Sequence, residues 1–505
     1  MLQLVISALP ILCLLFCLLG LKMAARKASA WSFLLAAIIY ITYFHSGIGA
    51  MITIAKGFGL ALFVVLIIWG AMFLYNVVNE TGALKVINST IEGNIEDRLL
   101  KYLFLSWVFA SFLQGIAGFG VPVIVVTPIL IGLGFAPELA AAAVLIGHSW
   151  SISFGSMGSS IYAIDMVTGE DIGAIVLNMS LFGTLAMICT GLTVCFIFGH
   201  RETFIRGCIY VFITSLFMGA TLYIMARFEM YSIIGLSTGA IGSIIMLLIN
   251  KVTKNRGEEH KEKRTFGGPI GFKTAVLPYA LIVVLSILFF IIDPQLKVAL
   301  DFPGYETGLG RVIEPETEYV KFNILKFPLT IILIATAISC IVYRKKGTLD
   351  KQVLRSIVKN TVNKCTSTTI TIVFLLSMAV IMMDSGMIQN LAVALVSASG
   401  KAYPLISPFI GLLGAFITGS NTNSNIIFGN FQEIAANSLG YSAAVICAVQ
   451  SIGASIGGAI GPTTVALGAT AAQIQGKENL IYRKTLVPIL FSTLLLGIFN
   501  LIMTA

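Results

Sequence analysis

Gln114-Gly115-Ile116-Ala117-Gly118-Phe119-Gly120-Val121-Pro122 interrupts a long apolar stretch with three glycines and a proline. A continuous helix would lose about 1 kcal/mol at each Gly and about 3 kcal/mol at Pro relative to Ala. At the tip of a helical hairpin the same residues are useful. Gly permits a turn at positive φ and leaves main-chain amides uncovered. A helix that starts near Pro122 aims its unpaired N–H groups, and the positive end of its dipole, at the gap. An anion fits such a gap without Arg or Lys. The plainer reading is a close helix contact of the Gly-xxx-Gly kind.

A weak copy of this region recurs in the second half of the chain. Aligning Glu80-Thr81-Gly82-Ala83-Leu84 with Asp384-Ser385-Gly386-Met387-Ile388 sets an offset of 304, which brings Phe112-Leu113-Gln114-Gly115 onto Phe416-Ile417-Thr418-Gly419. After a slip of two residues, Leu133-Gly134-Phe135 falls on Leu439-Gly440-Tyr441 and Ile146-Gly147 on Ile452-Gly453. The second copy carries Thr418-Gly419-Ser420-Asn421-Thr422-Asn423-Ser424-Asn425, a run costly in hydrocarbon unless it lines a site. Its hydroxyls and amides can hold a carboxylate or supply oxygens to a small cation. Two further breaks, Gly147 to Ser156 and Gln450 to Thr464, occupy equivalent positions. Paired broken segments in the two halves of a membrane protein point to a transport site.

A hydrophobic fraction of 57%, a charged fraction of 11% and a mean hydropathy of +0.95 over 505 residues exclude a soluble surface. Runs of about twenty apolar residues can cross the bilayer only as helices. The expected fold is an all-α polytopic membrane protein with about 12 transmembrane helices, two re-entrant hairpins and inverted-topology repeats. Met1 to Leu21 reads as a retained helix, because its basic residues follow the apolar run instead of preceding it. The net charge of +9 reflects topology rather than nucleic-acid binding. Lys251 to Lys273 and Arg344 to Lys364 are basic and therefore cytoplasmic, whereas Asp293 to Val320 is acidic and external.

Threading the chain gives scaffold helices over 1–56 and a first repeat over 57–226, with a re-entrant hairpin at 102–134 and a broken helix at 138–164. Linking helices follow over 227–365, with a basic loop at 251–273 and an acidic external loop at 293–326. The second repeat covers 366–505, with a hairpin at 403–439 and a broken helix at 441–464. Among the crossings, one helix is expected near 31–47, one near 57–79 and one near 366–383.

The substrate-binding candidates are Gln114, Gly115, Gly118, Phe119, Gly120, His148, Ser149, Ser153, Gly155, Ser420, Asn421, Thr422, Asn423, Ser424, Ser455, Gly461 and Thr463. Candidates for a coupling ion are His148, Asn421, Asn425 and Asp384, although Glu80 and Asp384 read first as solvated caps. The eight cysteines have no metal-ligand spacing and read as packing residues. Gly147-His148-Ser149-Trp150-Ser151 imitates a hydrolase elbow but ends in Ser and follows no strand, so an enzyme is not expected. Neither a cofactor nor a metal is expected. The partners expected are a small anionic substrate, the lipid bilayer and a proton or sodium ion; homo-oligomer formation is left open. A receptor or scaffold without flux is the reading from another class.

The two tips, with Gly132-Leu133-Gly134-Phe135, Phe154-Gly155-Ser156-Met157-Gly158 and Gly476-Lys477-Glu478, resemble the bacterial L-lactate permease family over nearly the full length. The resemblance implies proton-linked import of a lactate- or glycolate-like 2-hydroxy monocarboxylate, and kinship with transporters whose paired hairpins move as an elevator. The chain departs from the family pattern at four positions. It has Gln114 where Glu is usual, Asn421 where Asp is usual, His148 where Asn is usual and Gly458 where Lys is usual. An amide carries no proton, so sodium coupling or another small anion stands as the alternative.

Overall fold

The computed structural model describes residues 2–92, 95, 97–118, 120–199, 201–253, 269–292 and 296–504. Phe119 and most of the basic segment 251–273 lie outside the described residues. Among the described residues, 11 helices are long and apolar enough to cross a membrane. The chain is a multi-pass membrane protein of predominantly helical architecture.

Helices α1 (Leu2–Leu15), α2 (Ala25–Thr42), α3 (Gly47–Glu80) and α4 (Ala83–Glu92) open the chain. Then come α5 (Arg98–Leu103), a π-helical segment at Phe104–Phe109, α6 (Ala110–Ile116), α7 (Val121–Gly132) and α8 (Pro137–Gly147). After two 3₁₀ segments, Ser149–Phe154 and Ser156–Gly158, follow α9 (Ser159–Asp165), α10 (Ile172–Phe198), α11 (Arg201–Arg227), α12 (Ile234–Thr253), α13 (Phe272–Ile292) and α14 (Pro328–Lys345). The second half holds α15 (Lys351–Asp384), α16 (Met387–Ser399), α17 (Tyr403–Thr418), α18 (Asn421–Leu439), α19 (Ala443–Gly457), α20 (Pro462–Ala471) and α21 (Glu478–Thr504).

The central pair is α3 and α15, each of 34 residues. At 1.5 Å per residue each is about 51 Å long, well beyond the ~30 Å of hydrocarbon. They run antiparallel, as successive cross-contacts show. Asn76 Nδ2 donates to Thr361 Oγ1 at 2.9 Å, Trp69 Nε1 donates to Thr369 Oγ1 at 2.9 Å, and Lys56 lies 3.4 Å from Asp384. At the far end Asn360 Nδ2 donates to Glu80 Oε1 at 3.2 Å. The pairs Lys56/Asp384 and Asn360/Glu80 are related by the offset of 304 that aligns the two halves.

Both long helices begin earlier than expected, and for related reasons. The helix expected near 57–79 starts at Gly47, so the division at residue 57 falls inside α3 and the helix expected near 31–47 is confined to Ala25–Thr42. Lys56 lies between the helices expected near 31–47 and 57–79. It is 1% exposed and paired with Glu316 at 3.1 Å and Asp384 at 3.4 Å. A charge that would be costly alone is tolerated when paired. Likewise the helix expected near 366–383 starts at Lys351, so the division at 366 falls inside α15 and only a short link after Lys345 remains of the basic loop at 344–364. Lys351, Arg355 and Lys359 recur every four residues and keep to the exposed side, so they do not interrupt the helix.

Asp384 is a second correction, since it is 9% exposed and not a solvated cap. Tyr305 Oη donates to its Oδ2 at 2.6 Å, and Tyr305 Oη also lies 2.7 Å from Thr53 Oγ1 and 2.9 Å from Tyr40 Oη.

Tyr305 belongs to a third departure from expectation, four strands within the segment read as an external loop. β1 (Lys297–Phe302) pairs antiparallel with β4 (Glu316–Asn323), with Leu300 opposite Val320 and a register shift before Phe302. β2 (Tyr305–Glu306) pairs with β3 (Val312–Ile313). Val320 is fully buried against α3, and Lys56 lies 5.3 Å from the Tyr319 ring centroid. Six acidic residues spread over Asp293 to Val320 hide the short β alternation between them.

Two helical hairpins carry the interrupted stretches. In the first, Arg98 Nη2 donates to the Gly134 carbonyl at 3.3 Å and the Tyr102 and Phe135 rings lie 4.8 Å apart, so the outer ends of the segment meet. In the second, Tyr441 Oη donates to the Lys401 carbonyl at 3.5 Å and Tyr403 Oη donates to Gln432 Oε1 at 2.5 Å.

Candidate functional site

A cavity of about 320 Å³ lies between the hairpin tips. Its lining includes Gln114, Gly118 and Gly120 from the first tip and Thr418 to Asn423 from the second. His148, Ser156, Ser159 and Ser160 come from the first broken helix, and Gly458, Thr463 and Thr464 from the second. Ser367, Thr368 and Thr371 are contributed by α15. Ser367 and Thr368 sit at the midpoint of that 34-residue helix, so the cavity lies halfway along the long scaffold.

The first tip offers main chain. Gly118 N–H donates to Ser156 Oγ at 2.8 Å, and a Cβ at position 118 would come within 2.4 Å of that oxygen. Gly120 adopts φ +76° and precedes α7, whose second residue is Pro122. Gly is required there because the left-handed region is strained for other residues.

The second tip offers side chains. Ser420 caps α18, its Oγ accepting from Asn423 N–H at 3.3 Å. Asn421 Nδ2 donates to Ser153 Oγ at 2.8 Å and to the Ser451 carbonyl at 3.1 Å. Asn425 Nδ2 donates to the Ser160 carbonyl at 3.0 Å and to Ser451 Oγ at 2.9 Å. A carbonyl only accepts, which fixes the orientation of both amides. Asn421 Oδ1 and Asn425 Oδ1 are then buried acceptors without a partner among the described residues.

Three helix starts face this space: Gly120 before α7, Ser420 before α18 and Thr463 and Thr464 in the first turn of α20. No Lys, Arg, Asp or Glu is among the lining residues. The local potential therefore comes from unpaired N–H groups and helix dipoles, an arrangement that favours an anion. His148 is the titratable side chain of the lining, and its Nδ1 donates to the Val144 carbonyl, which leaves Nε2 unprotonated in the neutral ring.

Several expected site residues have other roles. Ser455 Oγ donates to the Ser149 carbonyl at 2.5 Å and Ser153 Oγ to the Ser451 carbonyl at 2.8 Å, so these serines join the two broken helices and do not line the cavity. Their hydroxyls satisfy main-chain groups that the breaks release. Gly115 packs on the Gly235–Leu236 backbone of α12 and Gly155 on Gln114. Ser424 Oγ donates to the Gly411 carbonyl at 2.9 Å inside the hairpin, and Gly461 precedes α20. Asp384 lies about 20 Å along α15 from Thr371 and belongs to the Lys56 network.

Ser156, Thr418 and Thr464 line the cavity from interrupted stretches already read from sequence, whereas Ser159, Ser160, Ser367, Thr368 and Thr371 were missed. Thr366-Ser367-Thr368-Thr369-Ile370-Thr371 was the available signal on α15. Such side chains pass unnoticed in a span because they bond back to their own helix, as Thr371 Oγ1 does to the Ser367 carbonyl at 2.9 Å.

The fold and sequence have recorded counterparts. The YdaH transporter of Alcanivorax borkumensis aligns over 94% of this chain and 98% of its own with a TM-score of 0.50 and 14% identity, a likeness of fold. The L-lactate permease of Streptococcus iniae is 31% identical over 87% of this chain and 92% of its own length. The L-lactate permease of Salmonella typhimurium is 28% identical over 98% and 94%, and the glycolate permease GlcA of Escherichia coli K12 is 27% identical over 98% and 95%. The family model described as L-lactate permease matches residues 3–505, and the chain belongs to that family.

Proposed function

We propose that the chain is a secondary active permease for a small 2-hydroxy monocarboxylate of the lactate or glycolate kind, driven by protons. The observation that carries this reading is the convergence of three helix starts on a cavity lined by no charged Asp, Glu, Lys or Arg. A carboxylate there accepts from main-chain N–H groups, while its hydroxyl meets the hydroxyls and amides of the second tip. The volume of about 320 Å³ sits at the lower end of the ~300–1,000 Å³ range of ligand pockets, which suits a small solute. The names of the relatives support the same substrate class.

The segments 102–134 and 403–439 act as re-entrant hairpins that enter and leave on one face. The contacts Arg98/Gly134 and Lys401/Tyr441 support this path. With the broken helices they form the moving part, and α3 with α15 forms the scaffold. His148 is the proposed proton carrier, since it is the titratable side chain of the lining and its Nε2 is free to accept.

One observation favours a second reading, sodium coupling. The unpartnered Oδ1 atoms of Asn421 and Asn425 stand one turn apart on α18. A buried acceptor left unpaired costs about 1–3 kcal/mol, which a cation held by oxygens would offset.

Uptake of radiolabelled L-lactate into proteoliposomes tests both readings. An imposed inward proton gradient should drive accumulation, and an inward sodium gradient alone should not. Accumulation driven by sodium alone would overturn the proton reading, and no uptake under either gradient would overturn the substrate assignment.

A further inference from the structure

The corner between α14 and α15 lies far from the transport cavity and has a different character. α14 ends in Arg344 and Lys345, and α15 begins at Lys351 after Asp350, whose Oδ1 accepts from Val353 N–H at 2.7 Å. The acidic group at this corner is thus engaged by its own helix. Between the two helices is a cavity of about 500 Å³ whose lining combines Ile341, Leu349 and Leu354 with Arg344, Asp350 and Lys351.

The adjoining face of α15 repeats this mixture. Leu354, Val358 and Val362 are 42%, 48% and 42% exposed, and the neighbouring row of Lys351, Arg355 and Lys359 is exposed too. Apolar side chains suit this face poorly to water, and the charges suit it poorly to hydrocarbon. The headgroup layer accommodates both. The helix length places the segment there, because α15 exceeds the ~30 Å hydrocarbon thickness by about 20 Å. Between Arg344 and Lys364 stand seven basic residues and one acidic residue, and no salt bridge joins Arg344, Lys351, Arg355 or Lys359 to an acidic group among the described residues.

We propose that this corner binds an anionic phospholipid, with the phosphate between Arg344 and Lys351 and an acyl chain along Ile341 and Leu354. The charge selects an anion, and the apolar wall selects one that carries hydrocarbon chains over a free phosphate. A bound lipid of this kind tethers the basic end of the α3–α15 scaffold to the membrane surface.

Native mass spectrometry of the full-length protein, exposed in detergent to phosphatidylglycerol or to phosphatidylcholine, tests the assignment. Phosphatidylglycerol should be retained and phosphatidylcholine not. In R344Q/K351Q the affinity for phosphatidylglycerol should fall about thirtyfold, the equivalent of ~1 kcal/mol for each basic side chain at an anionic surface. Should the double variant fail to fold, Leu354→Gln on the acyl wall should weaken retention in the same direction. Equal retention of the two lipids would overturn the proposal, as would unchanged retention in folded R344Q/K351Q or displacement by inorganic phosphate.

Discussion

The two hairpin tips reach the same cavity with different chemistry. Gln114 to Pro122 is built from glycines that expose backbone, whereas Thr418 to Asn425 presents hydroxyls and amides. Main-chain N–H groups provide a fixed field for negative charge but little discrimination between anions. Side-chain donors and acceptors discriminate, because an unmatched partner leaves them unpaired. If the cavity holds the proposed anion, the first tip sets whether it binds and the second sets which one.

Adding a side chain at the first tip should have the largest effect. Gly118→Leu drives a Cβ against Ser156 Oγ and fills the cavity, so labelled lactate uptake should fall about a hundredfold, consistent with an overpacking cost of ~1–3 kcal/mol plus a lost hydrogen bond. A melting-temperature measurement on the same preparation separates this from misfolding. Uptake within twofold of wild type would remove the first tip from the site.

Asn421→Ala should come next. It removes the amide's two hydrogen bonds, to Ser153 Oγ and to the Ser451 carbonyl, and one amide from the lining, so uptake should weaken by about tenfold or more, from ~1–3 kcal/mol for two buried hydrogen bonds. The comparison also predicts a change of preference. Competition by glycolate, acetate and propionate should be reordered in Asn421→Ala and keep its order in any partly active Gly118 variant. The same order in both would show that the tips are not divided in this way.

Smaller effects are expected from α15 and from the contact of Ser160 Oγ with Thr422 Oγ1 at 2.8 Å. Thr371→Ala and Thr422→Ala should each raise the KM for uptake a few-fold, in line with ~0.5–1.5 kcal/mol for one hydrogen bond. A matching loss in Thr369→Ala, whose Oγ1 accepts from Trp69 outside the cavity, would assign the effect to scaffold packing.

The scaffold offers a second contrast, between its two ends. Lys56 and Asp384 form a buried ion pair braced by Tyr305, whereas Asn360 and Glu80 share one exposed hydrogen bond. Lys56→Gln leaves Asp384 buried without its cation, a change that typically costs ~3–5 kcal/mol, whereas Asn360→Ala should lower the melting temperature little. Equal shifts in the two variants would contradict the asymmetry.

Much of this was legible from residue pattern. Gly118, Gly120 and Pro122 mark a break because helices exclude that combination, and Ser420 to Asn425 mark another because polar groups are rare in hydrocarbon. The offset of 304, read from Glu80 and Asp384, returns as a geometric relation between two contacts across α3 and α15. What escaped is what depends on partners distant in sequence. Lys56 fell between two expected spans because its partners Glu316 and Asp384 stand hundreds of residues away. The strands at Lys297–Phe302 and Glu316–Asn323 were hidden by charge. Ser149, Ser153 and Ser455 were assigned to the cavity because sequence shows that a hydroxyl is in a break but not which carbonyl it satisfies.

The central claim is that both tips together hold a small monocarboxylate. Calorimetric titration of L-lactate into purified wild type, Gly118→Leu and Asn421→Ala tests it most directly. Wild type should bind, Gly118→Leu should show no measurable heat of binding, and Asn421→Ala should bind about tenfold or more weakly, by the same loss of ~1–3 kcal/mol. Lactate binding of wild-type affinity in a folded variant of either tip would contradict the account.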